Sequence, residues 1–148
     1  MKFIVDSMLG KLARRLRVMG YDTYFDAKAD DHKILKISRE EDRFIVTRDT
    51  QMAKIRGAKI FLIRSTDLMV QLKELSKLAK ISLDSRLSFS RCPECNTPVK
   101  DVSKEEIKKI VPKFVYETQN KFSYCPKCKK AYWHGTHYEK LVKELKNI

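Results

Sequence analysis

The sequence predicts an α/β fold, a central parallel sheet flanked by helices and followed by a smaller cysteine-bound module. Three observations carry that expectation. Short β-branched runs alternate with helically spaced apolar residues from Met1 to about Ala79, the arrangement of a parallel sheet whose crossovers are helices. All four cysteines come after that stretch, as two Cys-Pro-x-Cys pairs. A length of 148 residues suits one ordinary domain with an appendage too small to build a large core of its own.

The elements follow in order. Lys2–Val5 reads as the first strand. Ser7 stands where it can cap the next helix, in which Leu9, Leu12, Ala13, Leu16 and Met19 recur at helical spacing until Gly20 ends it. A short second strand is expected at 23–25, then a helix with Ile34, Leu35 and Ile37 on one face and Asp31 in its N-cap position. The run 43–47 gives a third strand, and a short helix at 51–56 fills the gap to a fourth at 59–63. Leu68, Leu72, Leu75, Leu78 and Ala79 line a further helix. After Ala79 the text ISLDSRLSFSR reads as a linker, so a boundary near Leu87 divides 1–87 from 88–148. In the second part Ser103 and Glu106 make a capping box for a short helix ending before Pro112, and Thr136–Lys146 is amphipathic.

No apolar run approaches the ~18 residues of a membrane span, and charges come too early for a secretory signal. A cytoplasmic protein with no membrane partner is expected. Lys and Arg number 32 against 19 Asp and Glu, leaving +13, which favours a polyanionic partner through phosphate contact and counterion release. Nucleic acid leads; the competing reading is a basic surface that serves solubility alone, as in proteins from hot environments.

Cys92, Cys95, Cys125 and Cys128 form the most specific signal. Two knuckles separated by residues 96–124 deliver four thiolates to one zinc ion, and a closed set of four protein ligands marks that zinc as structural. Two disulfides suit a reducing compartment poorly, and a redox dithiol needs no second copy. Arg91, Lys127, Lys129 and Lys130 flank the ligands and offset the negative charge of a four-thiolate site.

Carboxylates carry the chemistry. In an open parallel sheet each strand hands its next residue to one rim, where such folds bind ligands. Asp6 follows the first strand, Asp49 the third, and Asp30 and Asp31 occupy the loop after the second. Acids gathered so closely repel unless a cation holds them ionised, and Mg²⁺ or Mn²⁺ suits hard oxygen ligands. A metal-activated water in line with a phosphodiester gives hydrolysis, so a metal-dependent nuclease is expected. The bland readings stand beside it: Asp31 as a cap alone, Asp49 as a turn residue, Asp30 as solvated. Asp67 is a weak further candidate. Arg14, Arg15, Arg17 and Arg48 are placed to grip phosphate, or form the wet face of a helix.

The segments FIVDSMLGKLARRLRVMGYDT, ADDHKILKISREEDRFIVTRD, CPEC, CPKC and YWHGTHYEKL together resemble the PIN-like ribonuclease domain with zinc ribbon named after the C-terminal part of the MUT-seven exonuclease. The resemblance spans nearly the whole chain. It implies a PIN-like parallel sheet over 1–87, a zinc ribbon with a C-terminal helix over 88–148, and metal-dependent cleavage of RNA. By that resemblance Asp6, Asp31 and Asp49 match the family's acids and Asp30 adjoins one of them. A fourth acid found in many PIN nucleases has no clear counterpart, which leaves the number of metals open. Trp133 and Tyr132 stand where they can stack on unpaired bases or pack the ribbon against its neighbour, and Trp133 is counted with Arg14, Arg15 and Arg48 as a nucleic-acid contact. The expected activity is endonucleolytic cleavage of RNA with catalytic Mg²⁺ or Mn²⁺ and structural Zn²⁺. The alternatives are a binding module without effective catalysis and a DNA nuclease. Oligomeric state and any protein regulator are left open by the sequence.

Overall fold

A computed structural model of the chain describes residues 1–83 and 89–147, so the expected boundary near Leu87 lies outside the described residues. The elements are β1 (Lys2–Val5), α1 (Gly10–Val18), β2 (Asp22–Phe25), α2 (Asp31–Glu41), β3 (Phe44–Thr47), β4 (Ile60–Leu62), α3 (Leu68–Ala79), β5 (Lys100–Val102), α4 (Lys113–Thr118), β6 (Phe122–Cys125), β7 (Lys130–Trp133) and α5 (Thr136–Lys146). Four of the strands form a wholly parallel sheet in the order β2-β1-β3-β4.

Both faces of that sheet are covered, which is why its strands read as apolar runs without a wet side. Phe3, Val5 and Val46 face one layer, where Leu12 and Leu16 of α1 and Leu72 and Leu75 of α3 are fully buried. Ile4 and Ile45 face the other, against Ile34 of α2 and Met52. The last helix, α5, adds Leu141 and Leu145 to the first of these cores. Burying those two leucines contributes on the order of 4 kcal/mol, enough to fasten the end of the chain to the sheet. Separately, β5, β6 and β7 make an antiparallel sheet whose β6 ends on Cys125, over a small core of Ile107, Val111 and Phe122.

Three local expectations are corrected. Ser7 does not cap α1: Ser7–Leu9 form a 3-10 turn, α1 starts at Gly10, and Ser7 Oγ donates to Asp6 Oδ1 at 3.2 Å. The N-cap of α2 is Asp30 and not Asp31. Its backbone is extended and its Oδ1 accepts from the Lys33 N–H at 2.8 Å, as a cap must, while Asp31 is the first helical residue. Ser103 and Glu106 do bond reciprocally, at 2.8 and 3.4 Å, yet they close only the 3-10 turn Glu105–Ile107. The helix of that region, α4, begins after Pro112, a residue with no N–H to continue a helix from the preceding turn.

Candidate active site and metal centre

Parallel strands deliver all their C-terminal ends to one rim. The chain runs from β1 outward to β2 and then crosses to β3 on the other side, so the order reverses between β1 and β3. Asp6 and Asp49 follow those two strands. Asp6 is 7% exposed; its N–H donates to Val46 O at 3.0 Å. Thr47 Oγ1 donates to Asp6 Oδ2 at 2.8 Å and accepts from the Asp49 N–H at 2.9 Å. One buried hydroxyl thereby joins the two acidic loops. Asp49 Oδ1 accepts from the Gln51 N–H at 2.7 Å, which folds that loop back over the end of β3.

Asp31 comes from the third loop. Its carboxyl is held above the usual aspartate range, first by partial burial and then by the negative charges of Asp49, Asp6 and Asp30. Four acids from three loops therefore share one field. Carboxylates that raise the pKa of a neighbour are donors whose repulsion a divalent cation relieves, although among the described residues these acids are not gathered as tightly as the cysteines. Asp30 is committed through Oδ1 to capping α2. Arg48 lies between Thr47 and Asp49 in the chain, half-buried, and its Nε is buried without a hydrogen-bond partner. Asp67 caps α3 by accepting from the Val70 N–H at 3.0 Å.

The arginines of α1 separate. Arg14 is exposed and pairs with Glu94, and Arg15 is half-buried. Arg17, grouped with them in the sequence reading as a phosphate contact, is buried and committed elsewhere. It donates from Nε to Thr23 O at 2.8 Å, and from Nη1 to Pro93 O at 3.1 Å and Glu94 O at 3.0 Å. Those carbonyls belong to the first cysteine knuckle and to β2, so Arg17 clamps one to the other. Asn96 repeats the link: it accepts from the Thr23 N–H at 2.9 Å and donates to Asp22 Oδ1 at 2.8 Å. Asp22 also receives Arg43 Nη1 at 2.7 Å. Burial opposes ionisation of Asp22, but the hydrogen bonds from Arg43 and Asn96 outweigh it and hold the carboxyl below its ordinary value. The open edge of β2 is thus closed by the knuckle.

The sulfurs of Cys92, Cys95, Cys125 and Cys128 all lie within 4.8 Å of one another. Among the described residues this is the group of three or more metal-ligating side chains gathered so tightly. Cys95 Sγ and Cys125 Sγ stand 3.6 Å apart, close to the ~3.8 Å edge of a tetrahedron built on zinc–sulfur bonds of about 2.3 Å. The cysteines are free of disulfides. Burial works against ionisation of Cys95, yet contacts with Thr97 and the neighbouring thiols bring it down to about 6. Cys128 is pushed up to about 12, chiefly by its contact with Cys95 and then by burial. Four thiols so crowded cannot all ionise alone, and a dication would hold them as thiolates. The cluster is consistent with a zinc ribbon. Tyr132 Oη lies 3.0 Å from Cys92 Sγ. Trp133 is half-buried in β7 with its ring 6.4 Å from Phe122, and His134 and His137 are exposed.

Sequence reasoning missed Thr47, Asp22, Asn96 and the buried role of Arg17. One signal was available for Thr47: it shares a sheet face with Ile45, and a polar side chain at a buried strand position needs a partner. The partners of Arg17 lie 6 and about 76 residues away, beyond any local pattern.

The fold is α/β, with a wholly parallel four-stranded sheet flanked by helices and a four-cysteine cluster consistent with a zinc ribbon. The chain belongs to the Mut7-C RNase domain family, whose model matches residues 1–145. It is 30% identical over 101 residues to a human protein named exonuclease mut-7 homolog. That alignment covers 64% of this chain but 12% of the human protein. No solved structure matches the chain significantly. The resemblance read from the sequence is borne out: the family whose model matches is described as an RNase domain. Among the described residues no helix is long and apolar enough to cross a membrane.

Proposed function

We propose that the chain is a metal-dependent ribonuclease that hydrolyses RNA phosphodiester bonds endonucleolytically, in the cytoplasm, with residues 1–87 as the nuclease unit and 88–148 as its ribbon. The observation that carries this reading is the Thr47 hydroxyl bonded to both the Asp6 carboxylate and the Asp49 amide, at the point where the strand order reverses. In this reading Asp6, Asp31 and Asp49 hold Mg²⁺ or Mn²⁺, and Asp30 supports Asp31 while it caps α2. When bound, such an ion supplies Lewis-acid activation of water and offsets charge developing at phosphorus. Thr47 fixes the rotamer of Asp6, so the acid is pre-set for the cation. Arg14, Arg15 and Arg48 contact phosphate, Trp133 contacts a base, and zinc occupies the four cysteines with a structural role.

RNA cleavage with added Mn²⁺ tests the proposal. The native chain should cut, whereas Asp6→Asn and Asp49→Asn should each lose cleavage by about a hundredfold or more while keeping their fold. Equal cleavage by both variants would remove the site, and metal-independent binding without cleavage would favour the binding module. A substrate labelled at one end separates internal cutting from trimming, the mode in the human relative's name; competition with DNA reports the choice of sugar.

A further inference from the structure

We propose that the aromatic cleft between α4 and the start of α5 binds an unpaired nucleobase of single-stranded RNA. The cleft measures about 500 Å³, ample for one base, and Phe114, Tyr132, Trp133 and Tyr138 supply ring surface to its walls, with Gln119 and His137 as polar groups. Phe114 is the telling residue. It is 74% exposed on a helix that buries none of its own residues, so the packing of α4 does not require an aromatic ring there. Base–aromatic stacking contributes about 1–3 kcal/mol per base and tolerates any base, which suits an enzyme that must engage unpaired RNA. Gln119 offers both a donor and an acceptor to a base edge.

Charge favours a nucleotide over an apolar peptide. Lys121 stands near enough to His134 to add to the effect of burial in lowering its pKa. Lys140, which also pairs with Glu144 at 3.9 Å, lies one turn beyond Thr136 and His137 on α5, and the whole chain carries +13. The other end of α5 is fixed in the sheet's core through Leu141 and Leu145, so a base held at its start is tied rigidly to the acid-bearing sheet. The choice of RNA rests on the ribonuclease reading; the binding itself does not need the acids.

Trp133 is the chain's single tryptophan, so its fluorescence reports the cleft. The zinc-loaded chain, with no Mg²⁺ or Mn²⁺ added, is titrated with a short oligouridylate and with an abasic ribose-phosphate chain of equal length. Saturable quenching by the first and little by the second is expected. Phe114→Ala should weaken binding about tenfold, Phe114→Tyr should retain it, and the salt dependence should be the same for all three proteins. Equal quenching by the abasic chain overturns the proposal, as does native affinity in Phe114→Ala. Quenching by an apolar peptide in place of the oligonucleotide assigns the cleft to a protein partner and overturns it too. Because no cleavage is read, failure of the acid site leaves this result standing, and loss of quenching leaves cleavage untouched.

Discussion

Thr47 and Asp22 are polar side chains placed where a strand's end meets another part of the chain, and each ties that end down. Thr47 is fully buried and divides its hydroxyl between the Asp6 carboxylate and the Asp49 amide. Thr47→Val keeps the shape but removes both bonds, so Mn²⁺ affinity measured by calorimetry should fall about 10- to 100-fold, as for other groups that orient a ligand. Unchanged affinity would mean that the hydroxyl only satisfies local backbone. Asp22 has a folded pKa below its ordinary value, because bonds to Arg43 and Asn96 outweigh burial. A depressed carboxyl contributes stability above its unfolded value near 3.8 and loses it as pH falls through the lower folded value. Asp22→Asn should therefore unfold at lower temperature than the native chain at pH 7, by a few degrees for a loss of about 1–3 kcal/mol. The gap between the two melting curves should close as acid titrates the native carboxyl. A gap that is constant from neutral to acid pH would point to packing instead of charge.

At the level of elements, most of the parallel sheet was legible, because β-branched runs and helically spaced leucines are local signals. Lys2–Val5, Leu68–Ala79 and Thr136–Lys146 appear as read. Caps were less legible: Asp30 and Asp31 are adjacent acids with equal cap propensity, and only backbone geometry selects Asp30. The ribbon strands escaped because their pairing is non-local and β5 is three residues long. The seam between ribbon and sheet escaped for the same reason, since Arg17 looks like any arginine on an amphipathic helix until Pro93 and Glu94 are brought against it. Arg17→Met leaves three backbone carbonyls without their charged donor and should cost about 2–4 kcal/mol. Urea unfolding would show this as a lower midpoint at unchanged slope. A midpoint within error of the native one would reduce the clamp to a bystander.

For the whole molecule, the four-cysteine cluster, the edge strand and the last helix form one chain of contacts. The first knuckle holds β2 through Arg17 and Asn96, and α5 returns from the ribbon to the sheet's core. If zinc holds the thiolates, chelating it should release more than the ribbon. Hydrogen exchange should quicken across β2 as well as β6 and β7, and the melting temperature should drop by more than 10 °C, since metal binding and folding are linked in such modules. Protection of β2 that survives chelation would show that the sheet stands without its ribbon. In the proposed function the acid rim is what turns a basic scaffold into an enzyme. Its most direct measurement is the anomalous scattering of manganese in a crystal soaked with Mn²⁺. The prediction is a peak among the carboxylates of Asp6, Asp31 and Asp49 that disappears in Asp6→Asn. An empty rim at saturating Mn²⁺, with manganese bound elsewhere or nowhere, would contradict it.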